Sequence, residues 1–419
     1  MLKIKGGNLL RGSINVNGSK NASLALIAAS LLTKGKVTLN NVPNILDVNV
    51  FIHILKYLNV KVSFNNNCLT LDSTYIEYKS LLIEEIKKLR ASSYLMGVFL
   101  SLFNKVEIYN PGGCSFSERP IDYHLNGFKT FGVDINEVNS SLFLEVNNIK
   151  NGYYYIPNIS VGTTIDLLLF ASLKDNTFII DNIALESEVE EVIKFLKLLD
   201  IEIIKIRERT LLIKGKKELK KDINYTVMND RIEAATLALF GATLGDNLTI
   251  NGFNLLDNLY LLNIFNKLKV PYILKENKLI ISKVKDFKGI DLETNPFPLL
   301  PTDIQPILTV FLSLGIDESS IKENIYPSRT SYVYELQKLN YNIKINNNKI
   351  IIKNSKKLKG NIVYGKDLRG SCALLLAALL IDDISYLEGY YFIKRGYEDL
   401  INRLNLLGAN INEEETFNN

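Results

Sequence analysis

The residues best equipped for chemistry run from Asn110 to His124 and read Asn-Pro-Gly-Gly-Cys-Ser-Phe-Ser-Glu-Arg-Pro-Ile-Asp-Tyr-His. A proline and two glycines continue neither a helix nor a central strand, so Cys114 is expected on a sharply turned, accessible loop. Arg119, five residues on, can bind an anion or favour the thiolate. A plain glycine turn that happens to carry a cysteine would read the same. The distribution of arginine tips the balance towards a reactive thiol in an anion-binding site.

Only ten arginines occur among the 49 basic residues. Arg90, Arg231 and Arg369 lie in polar clusters that open apolar helices. Arg119, Arg329 and Arg395 lie in loops that open amphipathic ones, and Lys20 holds an equivalent opening position. Helix N-termini present free N–H groups and a positive dipole, so anions favour them. Several such ends, lined by guanidinium forks, would bind phosphates and carboxylates. The plainer alternative pairs Arg395 with Glu398 or Arg231 with Glu233, and such surface pairs contribute little. Six arginines in register are hard to explain that way. Asp303, in Pro-Thr-Asp-Ile-Gln, has two readings. It is a helix cap or dipole partner, or, in an arginine-lined cleft, a general base.

The elements that must position these residues repeat six times. Each segment reads as a small polar cluster, an apolar helix, a strand, a turn-rich loop, an amphipathic helix and another strand. The clusters begin near Ser19, Arg90, Val161, Asp230, Pro301 and Asp367, at a spacing too long for a solenoid, so each is expected to be a small α/β subdomain. LALIAASLL, SYLMGVFLSLF, IDLLLFASL, AATLALFGATL, ILTVFLSL and ALLLAALLI are apolar nearly all round, as buried helices are. VNVFIHILKYL and EEVIKFLKLL are amphipathic. Short strands such as 60–62 and 409–411 are expected to close units, and the Lys- and Asn-rich stretches 214–221 and 346–359 to be solvated hairpins or turns. Six units in two groups of three imply two similar α/β domains, in line with a length of 419 residues.

Composition narrows the classes further. With 47% hydrophobic and 22% charged residues the chain has the balance of a soluble globular protein, and a net charge of +4 is too small to imply a nucleic-acid partner. The start has no apolar h-region, and the longest apolar stretch, 372–381, is about half of a bilayer span, so neither a signal peptide nor a membrane segment is expected. Three cysteines make no disulfide framework and fit a reducing cytoplasm. Two histidines and no paired metal-ligand motif argue against a metal site.

The motifs carry a resemblance over essentially the whole chain. GSKNA at 18–22, NVP at 41–43, LRAS at 89–92, PGGC and RPxDxH within 111–124, SVG at 160–162, DRIE at 230–233, PTDIQ at 301–305, DLR at 367–369 and RGYE at 395–398 are similar to those of the UDP-N-acetylglucosamine 1-carboxyvinyltransferase family of enolpyruvyl transferases. The resemblance implies two inside-out α/β domains of three units each, helices within and sheets outside. One domain would span 21–229, and the other 1–20 with 230–419. It implies transfer of enolpyruvyl from phosphoenolpyruvate to the 3-hydroxyl of UDP-N-acetylglucosamine, with no cofactor and no metal, as the first committed step of peptidoglycan precursor synthesis. Carried onto matching positions, Cys114 is the proton donor and Asp303 the base. Lys20, Arg119 and Arg395 hold the phosphate of phosphoenolpyruvate, Arg329 and Arg369 its carboxylate, and Asn21 also binds that substrate. Arg90, Arg119, Pro120, Ile121, Asp122, Tyr123, Ser160, Val161, Asp303 and Ile325 contact the UDP-sugar.

The chain departs from the family pattern at Ser117 and Glu118, at Asn158 where a lysine is usual, and at Leu185 and Ser187. Two rivals follow. A sister enzyme uses shikimate 3-phosphate as acceptor but resembles the Cys114 loop far less. A scaffold that kept the fold and lost the chemistry should have lost at least one of Lys20, Cys114, Arg119, Asp303, Arg329, Arg369 and Arg395, and all seven are present.

Overall fold

Each apolar run folds as a helix buried on nearly every side, opened by a residue that satisfies its free N–H groups. The structure is a computed structural model that describes residues 1–111 and 121–414. It divides into two compact units, with boundaries between Asn17 and Gly18 and between Met228 and Asn229.

In the unit built from 18–228, Ser19 caps α1 (Lys20–Ser30) by accepting from the Ala22 amide at 3.2 Å. There follow α2 (Leu46–Tyr57), a short α3 (Glu84–Lys88), α4 (Tyr94–Phe103), α5 (Asp122–Thr130), α6 (Val161–Ala171) and α7 (Ser187–Leu198). The apolar α1, α4 and α6 form its interior. Gly97 on α4 has no room for a side chain: a Cβ would lie 2.2 Å from the Asp166 carbonyl oxygen of α6. In the unit built from 1–17 and 229–414, α8 (Arg231–Leu244), α10 (Gln305–Leu312) and α12 (Leu368–Leu379) play the same part. Amphipathic α9 (Leu259–Lys267), α11 (Ser331–Lys338) and α13 (Leu400–Leu406) flank them. Asp230 and Asp367 cap α8 and α12, each accepting two amides.

Six small sheets clothe the helices, five four-stranded and one three-stranded among the described residues. In the first, Ile223–Thr226 pairs parallel with Lys36–Asn40, which pairs antiparallel with Cys68–Asp72 of a hairpin begun by Lys61–Asn65. Alternate residues such as Val37 and Leu39 are buried while Lys36 is exposed, so one face of each sheet covers helices and the other meets water. The other sheets repeat this plan, with two exchanges. Ser13–Asn15 precedes α1 yet pairs with Leu248–Asn251, whereas Ile223–Thr226 precedes α8 yet pairs with Lys36–Asn40. The sixth sheet takes Leu2–Lys5 between Ile384–Glu388 and Ile411–Glu413, antiparallel to both. The architecture is thus two inside-out α/β domains of three repeated units each.

Two local expectations need correction. Units close mostly with hairpins rather than single strands, the second hairpin strand pairing inward and the first lying at the sheet edge; the strands lie at Lys61–Asn65 and Ile411–Glu413. The stretch 346–359 is not wholly solvated. Its turn is Asn347–Asn348, but Lys349–Ile352 is a central strand with Ile350 and Ile352 fully buried. No helix among the described residues is long and apolar enough to cross a membrane.

Candidate active site

In the 229–414 unit the sequence brings three candidate residues into one cluster. Arg329 lies just before α11, Arg369 in the first turn of α12, and Asp303 just before α10. Asp303 Oδ1 accepts from the Arg329 guanidinium at 2.7 Å and Oδ2 from that of Arg369 at 3.1 Å. Both arginine side chains are almost wholly buried, at 3% and 6% exposure, while that of Asp303 keeps 26%. Asp303 therefore does not cap α10, whose start is made by Ile304 with a proline in its first turn. The capping reading gives way to a partly exposed carboxylate clamped by two cations.

A buried shell holds this clamp. The Arg369 guanidinium also donates to the Tyr397 hydroxyl at 2.8 Å, and that hydroxyl meets Thr236 at 2.9 Å. Burial pushes the Tyr397 phenol well above its ordinary range, so it stays neutral. Arg231 opens α8 and stacks over the Phe297 ring at 5.4 Å. Glu233, its partner in the plainer alternative, pairs with Arg403 at 2.6 Å. Arg395 ends the 3₁₀ turn Tyr390–Arg395 and is half-buried. Ile325 is half-buried as well, its amide donating to Glu323 at 2.9 Å.

The 18–228 unit carries a second group. Lys20 is the first residue of α1 and pairs with Asp47 at 2.7 Å, the carboxylate lying almost wholly buried. Asn21 follows it in the same turn. The Arg90 guanidinium donates to the Pro111 carbonyl at 3.0 Å. Ile121 precedes α5, which begins at Asp122 and Tyr123. The Tyr123 hydroxyl accepts from Asn158 at 2.6 Å, and its carbonyl accepts from the Tyr154 hydroxyl at 2.9 Å. Ser160 caps α6, accepting from the Thr163 amide at 3.2 Å, and Val161 is the first helical residue. Cys114, Arg119 and Pro120 lie outside the described residues.

Sequence reasoning missed three participants: Tyr397, Arg403 and the pair His124–Asp166. The last two left signals, since an acid inside an apolar run needs a partner and Glu233 is almost wholly buried. Burial pushes the Glu233 carboxyl up to about 7 against the opposing pull of Arg403. No cluster of three or more His, Cys, Asp or Glu among the described residues could hold a metal ion.

Comparison with known proteins gives a consistent picture. The family model described as EPSP synthase (3-phosphoshikimate 1-carboxyvinyltransferase) matches residues 4–404. UDP-N-acetylglucosamine 1-carboxyvinyltransferase 2 from Staphylococcus aureus (strain MRSA252) is 35% identical over 412 residues, 98% of each chain. The enzyme of the same name from Staphylococcus epidermidis is 34% identical over the same length. Among solved structures, the enolpyruvyl transferase NikO from Streptomyces tendae superposes with a TM-score of 0.90 at 21% identity, covering 98% of each chain. EPSP synthase from Acinetobacter baumannii gives 0.75 at 14% identity, covering 99% of this chain and 100% of that one.

Proposed function

The chain belongs to the EPSP synthase family of enolpyruvyl transferases, and from that premise we propose that it transfers enolpyruvyl from phosphoenolpyruvate to the 3-hydroxyl of UDP-N-acetylglucosamine, releasing phosphate. This is the first committed step of peptidoglycan precursor synthesis. The observation that carries the chemistry is Asp303, held by Arg329 and Arg369 at 2.7 and 3.1 Å with 26% of its side chain exposed. The acceptor follows from the relatives at 35% identity that bear the UDP-sugar enzyme's name.

The roles divide as the residue types require. Cys114 gives a proton to the methylene carbon of phosphoenolpyruvate, which makes the adjacent carbon electrophilic. Asp303 takes the proton of the sugar 3-hydroxyl as its oxygen adds to that carbon, forming a tetrahedral ketal. Loss of a methyl proton and rupture of the bond to phosphate restore the double bond. Phosphoenolpyruvate concentrates up to three negative charges on few atoms, so several cations must hold it. Lys20, Arg119 and Arg395 take the phosphate with Asn21 beside them, and Arg329 and Arg369 take the carboxylate. A bound carboxylate then shares the two guanidinium groups with Asp303, which couples donor binding to the base. Arg90, the segment from Arg119 to Tyr123, Ser160, Val161, Asp303 and Ile325 receive the UDP-sugar. The substrates are small molecules, and we place the reaction in the cytoplasm, where a chain without a disulfide framework fits.

Phosphate release by the purified chain tests this reading. Release with phosphoenolpyruvate and UDP-N-acetylglucosamine, and none with shikimate 3-phosphate, is the expected result. Release with shikimate 3-phosphate alone would reassign the acceptor.

A further inference from the structure

A buried histidine–aspartate pair lies against the helix start assigned to the acceptor, and nothing in the chemistry above uses it. His124 on α5 is 4% exposed and Asp166 on α6 is fully buried. His124 Nδ1 meets Asp166 Oδ2 at 2.8 Å, and Oδ1 accepts from the Gly97 amide of α4 at 2.7 Å. One carboxylate therefore ties three helices together. The opposite edge of the ring lies against Gly162: a Cβ there would press on Cε1 at 3.2 Å and Nε2 at 3.3 Å. Nδ1 is thus taken, and Nε2 has no protein partner among the described residues. Ser160 satisfies the Thr163 amide, which leaves the N–H groups of Val161 and Gly162 at the helix start for a ligand.

We propose that Asp166 is a positioning residue for the acceptor: it fixes the His124 ring so that Nε2–H, together with the first amides of α6, donates to an anionic group of the UDP-sugar. The proposal rests on the reading that the acceptor is a nucleotide diphosphate sugar bound at Ser160 and Val161.

The number of protons on the pair decides what Nε2 can offer. If the pair holds one proton, between Nδ1 and Oδ2, it is net negative and Nε2 offers only a lone pair. If it holds two, it is net neutral, and Nε2 carries a hydrogen whichever atom owns the shared proton. Burial pushes the Asp166 carboxyl above its usual range, disfavouring the net-negative state, while His124, the Gly97 amide and Arg90 pull the other way. The other titratable or charged groups reaching this pocket are Arg90, Tyr94 and Glu188, and Tyr154, which bonds the Tyr123 carbonyl.

Two substitutions that both remove the charge should behave differently. In Asp166→Asn the amide oxygen still accepts from Gly97, the amide nitrogen donates to Nδ1, and Nε2 keeps its hydrogen. In Asp166→Leu the ring loses its anchor. Calorimetric titration with UDP-N-acetylglucosamine should therefore leave Asp166→Asn within about threefold of wild type. Asp166→Leu and His124→Phe should each raise Kd about 10- to 100-fold. The double variant should lose no more than either single one, because Asp166 acts through His124. In turnover, KM for the UDP-sugar should rise far more than kcat falls. If Asp166→Leu does not fold, His124→Phe set against Asp166→Asn still decides. Wild-type affinity in His124→Phe, an equal loss in Asp166→Asn and Asp166→Leu, or additive losses in the double variant would overturn the proposal. Failure of the wild-type chain to bind the UDP-sugar at all would instead overturn the reading on which it rests.

Discussion

Replacing Asp303 by Asn tests the anion clamp from two sides. The native carboxylate accepts from Arg329 at 2.7 Å and from Arg369 at 3.1 Å. An amide oxygen can satisfy one of them, but the amide nitrogen must then face the other guanidinium, donor against donor. Removing one partner of a buried ion pair costs about 3–5 kcal/mol. Asp303 is 26% exposed and Arg369 keeps its bond to Tyr397, so the lower end, about 3 kcal/mol, applies. In a lobe of this size that is a fall in Tm of about 6–12 °C. Losing a positioned general base should lower kcat about 10²- to 10⁴-fold. KM for phosphoenolpyruvate should not rise, since the two arginines no longer share their charge with a carboxylate. Inorganic phosphate or phosphoenolpyruvate, by supplying the missing negative charge, should raise the variant's Tm more than the wild type's. Steady-state kinetics with a thermal melt at matched anion concentrations makes the measurement. A kcat within about threefold of wild type, together with an unchanged Tm, would refute both the clamp's role and the assignment of the base.

Three further outcomes are expected. A phosphonate epoxide should label Cys114 and spare Cys372, which is fully buried and whose thiol burial pushes up to about 12; peptide mass spectrometry that places the label on Cys68 or Cys372 would contradict this. Burial pushes the Glu233 carboxyl from its ordinary 4.5 up to about 7 in the folded chain, so its contribution to stability is complete below about pH 4.5 and is lost as pH rises to about 7. Chemical denaturation should show at most about 3 kcal/mol of decline over that window, and Glu233→Gln should flatten it. Gly97→Ala should lower stability by about 2–3 kcal/mol, because its Cβ would sit 2.2 Å from the Asp166 carbonyl oxygen and break the hydrogen bond that the residue 97 N–H donates to the Asp166 carboxylate; an unchanged melting curve would show that α4 and α6 can part without penalty.

The parts of the fold that were legible are those with a strong local signal. Six runs apolar on all sides could only be buried helices, and the polar openings at Ser19, Asp230 and Asp367 are caps, while the third cap is Ser160, one residue before the cluster read at Val161. The strand exchanges carry no local signal. Ser13–Asn15 and Ile223–Thr226 are three and four residues long, and pairing with Leu248–Asn251 or Lys36–Asn40 is decided by packing far along the chain. That the N-terminal strand joins the C-terminal domain was implied by resemblance, not by periodicity. At the site, the register of arginines was readable, but their partners were not. Asp303 next to Thr302 looked like a helix cap because capping is a local property, whereas its bonds run 26 and 66 residues away. The plainer alternative for Arg231 pairs it with its neighbour Glu233 on the same logic, while the structure gives Glu233 to Arg403, 170 residues on. Asp166 could have been caught, since a lone acid in IDLLLFASL must find a proton or a donor.

The central claim is the identity of the transferred group and of its acceptor. Incubation of the purified chain with phosphoenolpyruvate and UDP-N-acetylglucosamine, followed by proton NMR of the isolated product, tests it most directly. One enolpyruvyl ether on the sugar 3-oxygen is expected, seen as a pair of vinyl protons, with one phosphate released for each product formed. Recovery of unchanged UDP-sugar under these conditions, while shikimate 3-phosphate acquires the vinyl signals, would contradict it.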